Sequence, residues 1–261
     1  LVLFEQKGRR VEPTQAAIVL SHYVKQGFDE FAEGIRRVTR ATYRDRINLN
    51  ASPFFATHYL MPVLSLFHDV LPSADLRLTT MVNMPEFERD DIDLGIQWGY
   101  GTWPDLEVAL LIPDPKVICC TPALAPSVRK PEDLTQVTLL DAFKSNRLWP
   151  HIFAHLGIEP SRADRKIGFD DAATMRRATL QGIGIGLIST LHADEDIRTG
   201  ALVAPLGRDI LGNMAASDVP GFYLVAPRRH LRAGSVAALF RWLKQQDWSK
   251  HGMYHPAPAL P

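Results

Sequence analysis

From Arg46 to Gln246 short apolar runs alternate with stretches whose apolar residues recur every three or four positions, and this alternation limits the fold more than any other feature. Strands are expected over residues 46–51, 75–82, 92–98 and 107–112, with helices over 56–70 and 85–89 between them. Pro113 and Pro115 then punctuate the chain. A second unit follows, with strands near 116–121, 137–140, 166–169 and 183–188 and helices near 147–156 and 171–181. After a loop at 207–220 come one more strand, 222–225, and a final helix, 232–246. This order implies an α/β fold with a mostly parallel sheet covered by helices. If the last strand and helix return to the first sheet, the chain forms two lobes joined by two crossovers, with a cleft between them that suits a ligand.

The front of the chain obeys a different pattern. Residues 2–13 read as two short strands around the basic turn Lys7-Gly8-Arg9-Arg10, closed by Pro13. Thr14 is a suitable N-cap for a helix running to about Thr42. Along it Leu20, Val24, Phe28, Phe31, Ile35 and Val38 recur at spacings of 4, 4, 3, 4 and 3, a seam on one side of the helix. At 1.5 Å per residue the helix is about 43 Å long, more than a small domain covers, so a helix from a second copy is the expected partner. The competing reading is a surface helix packed on its own body, and Gly27 and Gly34 weaken the helix in either case.

Hydrophobic residues make up 46% of the chain and charged residues 22%, enough apolar material for a sizeable core and too much for a disordered chain. Lys+Arg and Asp+Glu both total 29, so no blanket attraction to nucleic acid or acidic membranes is expected. Residues 1–50 nevertheless hold nine Lys/Arg against six Asp/Glu. The two cysteines, Cys119 and Cys120, are adjacent and in a strand would face opposite ways, which excludes a disulfide scaffold and fits a reducing compartment. No apolar run approaches the ~20 residues needed to span a bilayer, and Leu1–Lys7 does not read as a secretory signal. A cytoplasmic location is expected, and the start without Met suggests that the chain begins partway into a longer one. Three prolines among residues 251–261 predict a frayed tail.

Catalytic signatures are absent: there is no Gly-x-Ser-x-Gly, His-Glu-x-x-His or Gly-x-x-x-x-Gly-Lys. Neither enzymatic activity nor a cofactor is expected. Gly182-Ile183-Gly184-Ile185-Gly186 follows a predicted helix instead of opening one, so it reads as a helix stop and a closely packed strand, not a dinucleotide loop. His151 and His155 have metal-compatible spacing but no third ligand nearby, and no metal site is expected. Cys119 and Cys120 read as core. Two places where a strand runs straight into a helix carry more weight, residues 50–57 and 168–174. Ligands of open sheets bind at such strand ends, where helix N-termini offer unpaired N–H groups. Ser52 and Thr57 would add hydroxyls there and Asp171 an acceptor, with plain capping as the alternative for each. Trp98, Tyr100, Trp103 and Phe143-Lys144 gather at other strand exits; core packing is the default reading for any one of them, but together at one sheet edge they suit a pocket lining.

These strings, taken together, resemble the LysR-type transcriptional regulators of bacteria over essentially the whole chain. Leu3-Phe4-Glu5-Gln6, the basic turn, and Pro13-Thr14 followed by Ala16-Ala17 are similar to the family's wing and entry to its linker helix, with Gln6, Pro13 and Ala17 in place of the usual Arg, Leu and Gly. Ser52-Pro53 with Phe55-Ala56, residues 91–96, Trp98-Gly99 with Gly101, Trp103-Pro104, Phe169-Asp170-Asp171-Ala172 and residues 182–186 resemble the subgroup that regulates glycine cleavage and chromosomal β-lactamase. The resemblance implies a winged helix-turn-helix, a dimerising linker helix and a two-lobed effector domain like periplasmic binding proteins. It implies a wing remnant at 1–13, a linker at 14–44, one lobe at 45–114 with 221–250, the other at 115–220, and a tail at 251–261. The helices that would read bases precede this sequence in the family, so promoter DNA is a partner of the intact protein, with Arg9 and Arg10 of the wing at phosphates. It further implies a homodimer, assembling into a tetramer, and a small-molecule effector held by Ser52, Phe54, Thr57, Gly99, Tyr100, Asp171, Ala172 and Tyr223. A transporter's solute-binding protein has the same lobes but carries an export signal and no dimerising helix.

Overall fold

The computed structural model describes residues 1–7, 10–40, 45–142, 147–159, 166–232 and 234–250. Its contacts divide the chain into two units, Leu1–Arg46 with Ser73–Asp75, and Ile47–Pro72 with Leu76–Pro261. In the first, β1 (Phe4–Lys7) and β2 (Arg10–Pro13) form an antiparallel hairpin with Phe4 opposite Pro13. Helix α1 (Gln15–Arg40) starts where Thr14 predicts it, the Thr14 hydroxyl accepting from Ala17 N at 3.2 Å. Of the expected seam, Leu20, Val24, Phe28, Phe31 and Ile35 are all exposed, with Phe31 74% open, so the helix carries an uncovered apolar stripe. The side chain of Val38 and the whole of Arg9 lie outside the described residues; Arg10 is exposed.

The body opens with β3 (Asp45–Ala51), which runs into α2 (Pro53–Phe55), a wider π-type turn at Ala56–Leu60, α3 (Met61–Leu64) and α4 (Phe67–Val70). The single helix expected at 56–70 thus starts earlier and is broken. Pro62 has no N–H to give and its ring crowds the carbonyl four residues back, which suits the widened turn just before it. β4 (Ala74–Thr80), β5 (Leu94–Gly99) and β6 (Leu106–Pro113) follow, and the short helix expected at 85–89 is a turn, in which Asp90 N donates to Glu86 O and Ile92 N to Phe87 O. The chain then crosses into β7 (Lys116–Cys119), β8 (Leu139–Ala142), α5 (Leu148–His155), β9 (Lys166–Phe169), α6 (Ala172–Leu180), β10 (Gly186–Ser189) and α7 (Thr190–Arg198). It returns as β11 (Gly221–Pro227) and ends in α8 (Gly234–Gln245). Residues 251–261, expected as a tail, lie outside the described residues.

The first lobe holds a five-stranded sheet in the order β4-β3-β5-β11-β6. β3 and β5 are parallel, and β11 is antiparallel to both β5 and β6, so β3, β5 and β6 run the same way and β11 alone among these four is reversed, an exception within the expected parallel arrangement. The reason is the return path: β6 leaves for the second lobe and β11 comes back beside it, so the two must run oppositely. Asp114 N donates to Pro220 O at 2.7 Å, so the outgoing and returning crossovers touch. In the second lobe β7 pairs with β10 antiparallel and β8 with β9 parallel, with a bridge from Leu139 to Ile185.

Cores sit on both faces of β7. Ile118 and Cys120 pack with Trp149, Ile152 and Phe153 of α5, while Val117 and Cys119 pack with Met175 and Ala178 of α6. The adjacent cysteines therefore face opposite sides, as strand alternation requires. Burial pushes the Cys119 thiol up to about 12 and that of Cys120 to about 11, which leaves both protonated and inert. In the first lobe Phe55 seals the core against Phe222 and Trp248, with ring centroids 5.3 and 4.9 Å away. Gly182 ends α6 with φ +71°, as its position after the helix predicts.

Candidate functional site

A cavity of about 340 Å³ opens between the lobes, within the size range of small-molecule sites. From the first lobe it is lined by Ser52, Pro53, Phe54, Thr57, His58, Val82, Trp98 and Phe222, and from the second by residues of β7, α5, α6, β10 and α7. Both strand-to-helix junctions contribute, so Ser52, Phe54, Thr57, Asp171 and Ala172 come together here. Ser52 stands at the N-cap of α2, its side chain makes no capping bond, and it lines the cavity. The Thr57 hydroxyl donates to Pro53 O at 2.9 Å. Asp171 caps α6, accepting from Thr174 N at 2.9 Å and from the Thr174 hydroxyl at 2.8 Å. Burial works to raise the Asp171 pKa, but the bonds from Thr174 and from Ala173 N outweigh it and hold the carboxyl below the usual aspartate range.

Gly99, Tyr100 and Tyr223 are not among the lining residues. Strand alternation explains two of them. Phe222 stands opposite Trp98 across β11 and β5, and this pair faces the cavity; Tyr223 stands opposite Gln97 and points away, its ring edge-on to Trp103 at 5.8 Å. Gly99 lies against Trp103. Tyr100 packs between Trp98 and His151, with centroids 6.2 and 5.6 Å away, and its buried hydroxyl has no hydrogen-bond partner among the described residues. Burial, then the nearby Asp218 carboxylate, pushes that hydroxyl up to about 12. Phe143 and Lys144 lie outside the described residues. His151 Nδ1 stands 3.9 Å from Asp218, and no three His, Cys, Asp or Glu side chains gather as a metal site among the described residues.

Several lining residues carry no signal that the sequence reading used. Lys116, at the start of β7, donates to the Asp114 carboxylate of the crossover and, at 2.9 Å, to Ser189 Oγ of β10. Its ammonium lies 5.4 Å from the Trp98 ring centre, and Trp98 Nε1 donates to Asp114 Oδ2 at 2.7 Å. This buried group ties the crossover to both lobes. The Phe54 ring stacks on Phe222 at 5.6 Å and on His58 at 4.5 Å. His58 Nδ1 lies 2.9 Å from Phe54 O, and its Nε2 lies 3.0 Å from Nε2 of His192 on α7. Burial, followed by the charges of Arg176 and His58, lowers the His192 pKa to about 4. Asp170 also lines the cavity, and Leu148, Met175 and Leu187 make an apolar wall on the second lobe.

Residues 40–248 match the family described as the LysR substrate binding domain. The glycine cleavage system transcriptional activator of Escherichia coli (strain K12) is 29% identical over 247 residues, which cover 93% of this chain and 78% of that protein. The HTH-type transcriptional regulator PerR of Escherichia coli (strain K12) is 30% identical over 241 residues, 92% of this chain and 79% of that protein. Among solved structures, the effector domain of the transcriptional regulator AmpR of Pseudomonas aeruginosa superposes with a TM-score of 0.64 at 25% identity, covering 80% of this chain and 98% of that one. With the match running through the whole two-lobed body, this chain belongs to the LysR-type transcriptional regulators.

Proposed function

We propose that this chain senses a small-molecule effector in the cleft between its lobes and passes the result to the DNA-binding heads of an oligomeric, cytoplasmic regulator that catalyses no reaction. The observation that carries this reading is the cavity, because both strand-to-helix junctions and the aromatic pair Trp98 and Phe222 converge on it. We take lobe one as 45–114 with 221–250 and lobe two as 115–220. An effector with higher affinity for one lobe arrangement shifts the population toward it; an effector with equal affinity for both would change nothing. The stripe of α1 is the surface through which two copies meet, and the wing with Arg9 and Arg10 contacts phosphates of promoter DNA in the intact protein. That the relatives are transcription regulators favours this reading over a transporter's solute-binding protein.

A thermal-shift screen against amino acids, aromatic acids and cell-wall fragments tests it, since a ligand that binds the folded state raises the melting temperature by mass action. The expected result is a hit whose shift disappears in Ser52→Ala. A hit of undiminished size in Ser52→Ala and in Phe54→Ala would move the site elsewhere.

A further inference from the structure

His58 and His192 approach from opposite lobes, one on the turn after α2 and the other on α7, and their Nε2 atoms meet at 3.0 Å beside the cavity. The hydrogen bonds dictate the tautomers. A backbone carbonyl only accepts, so His58 Nδ1 carries the proton that points to Phe54 O, and in the neutral ring this leaves His58 Nε2 as an acceptor. His192 Nε2 must then donate. The contact survives one added proton, because the acceptor and donor roles can exchange between the rings, but two charged rings would present hydrogen to hydrogen.

We propose that His58 and His192 form a proton-operated latch on the cleft: uncharged they bind the lobes together, and charging them releases the lobes. The inference rests on the effector-cleft reading and adds a regulation to the same site. Burial opposes a charge on His192 most, followed by Arg176 on α6, His58 and, more weakly, Lys116 on β7, while among the described residues Asp196 on α7 works the other way. Arg176 and Asp196 are paired, with Arg176 Nε donating at 2.7 Å, and Lys116 is paired with Asp114, so each offsets the other and burial between the lobes dominates. The Phe54 ring, 5.0 Å from His192, contributes no charge. The same cations disfavour a divalent metal between the two nitrogens, and no third ligand-type side chain joins them among the described residues. With the cleft open, the His192 ring stands in water and takes up a proton at the ordinary imidazole value of about 6.5. With it closed, His192 resists until about 4. Acid therefore favours the open cleft.

The test needs no effector. Spin labels are placed one turn beyond each histidine, at Met61→Cys and Glu195→Cys, both exposed positions, while native Cys119 and Cys120 are buried. Pulsed electron-resonance distances between the labels are then compared at pH 7.5 and 5.5. The ratio of long to short distances is expected to rise about tenfold, as the linkage of one proton over one unit below 6.5 requires. His192→Phe, which keeps the ring packing, and His192→Gln, which keeps a donor, should each abolish the change. A distribution in the parent that is indifferent to pH, or a shift that persists in both variants, overturns the latch. Because no ligand is present, such a failure leaves the effector reading to be judged by the thermal screen alone.

Discussion

At the scale of single residues, the two hydroxyls of the first junction are not equivalent. Ser52 caps nothing, so Ser52→Ala should change stability by no more than about 0.5 kcal/mol in urea unfolding while removing the effector response. Thr57→Ala gives up the bond to Pro53 O and should cost about 1 kcal/mol. The sign for His192 follows from its depressed pKa. Unfolded imidazole takes a proton near 6.5 and the folded one near 4, so its contribution to stability is complete above pH 6.5 and is lost as the pH falls toward 4. Urea midpoints measured across that range should fall in the parent more steeply than in His192→Phe. Residue placement in the cavity was only partly legible. Ser52, Thr57 and Asp171 follow from the strand-to-helix junctions alone, but Tyr223 and Phe222 differ only in strand phase, and nothing local to the sequence says which face meets the cleft. The partner Trp98, opposite Phe222 across the sheet, decides it.

Elements that carry their own start and stop signals were readable. Thr14 and Asp171 both cap the helices that follow them, and Gly182 stops α6. Asp171→Ala should cost about 1 kcal/mol, and the part that depends on its charge is lost in the parent as the pH falls through and below the ordinary aspartate value of 3.8, since the folded carboxyl is the more acidic. Gly184 tests the close packing read from residues 182–186. A Cβ there would run into the Thr138 carbonyl oxygen, so Gly184→Ala should destabilise by about 1–3 kcal/mol. The element the pattern did not announce is α7. Its Thr190–Arg198 stretch is mostly polar, with Ala193 its one fully buried apolar side chain, so periodicity is weak there, and His192 was missed with it. The stripe on α1 makes the opposite case, strong periodicity on a face whose described side chains are largely exposed; Phe31→Asp with Ile35→Asp should shift sedimentation toward the monomer.

At the scale of the whole molecule, two lobes with two crossovers follow from where the last strand and helix go, which the order of elements suggests. Strand direction does not, because it depends on which neighbour the returning strand finds. The buried Lys116 and Asp114 pair sits at that junction with both side chains 7% exposed. Lys116→Ala leaves the carboxylate without its cation and should cost about 3 kcal/mol or more, with a broader range of lobe positions in small-angle scattering. The contact between Asp114 N and Pro220 O binds the outgoing and incoming segments into one narrow spine. Two tethers set far apart would resist rotation like a door hung on widely spaced pins. Two lying side by side leave a slender pivot, so a slight angular change at its root sweeps a wide arc at the rim, and a compound held deep beside Trp98 would command leverage out of proportion to its size.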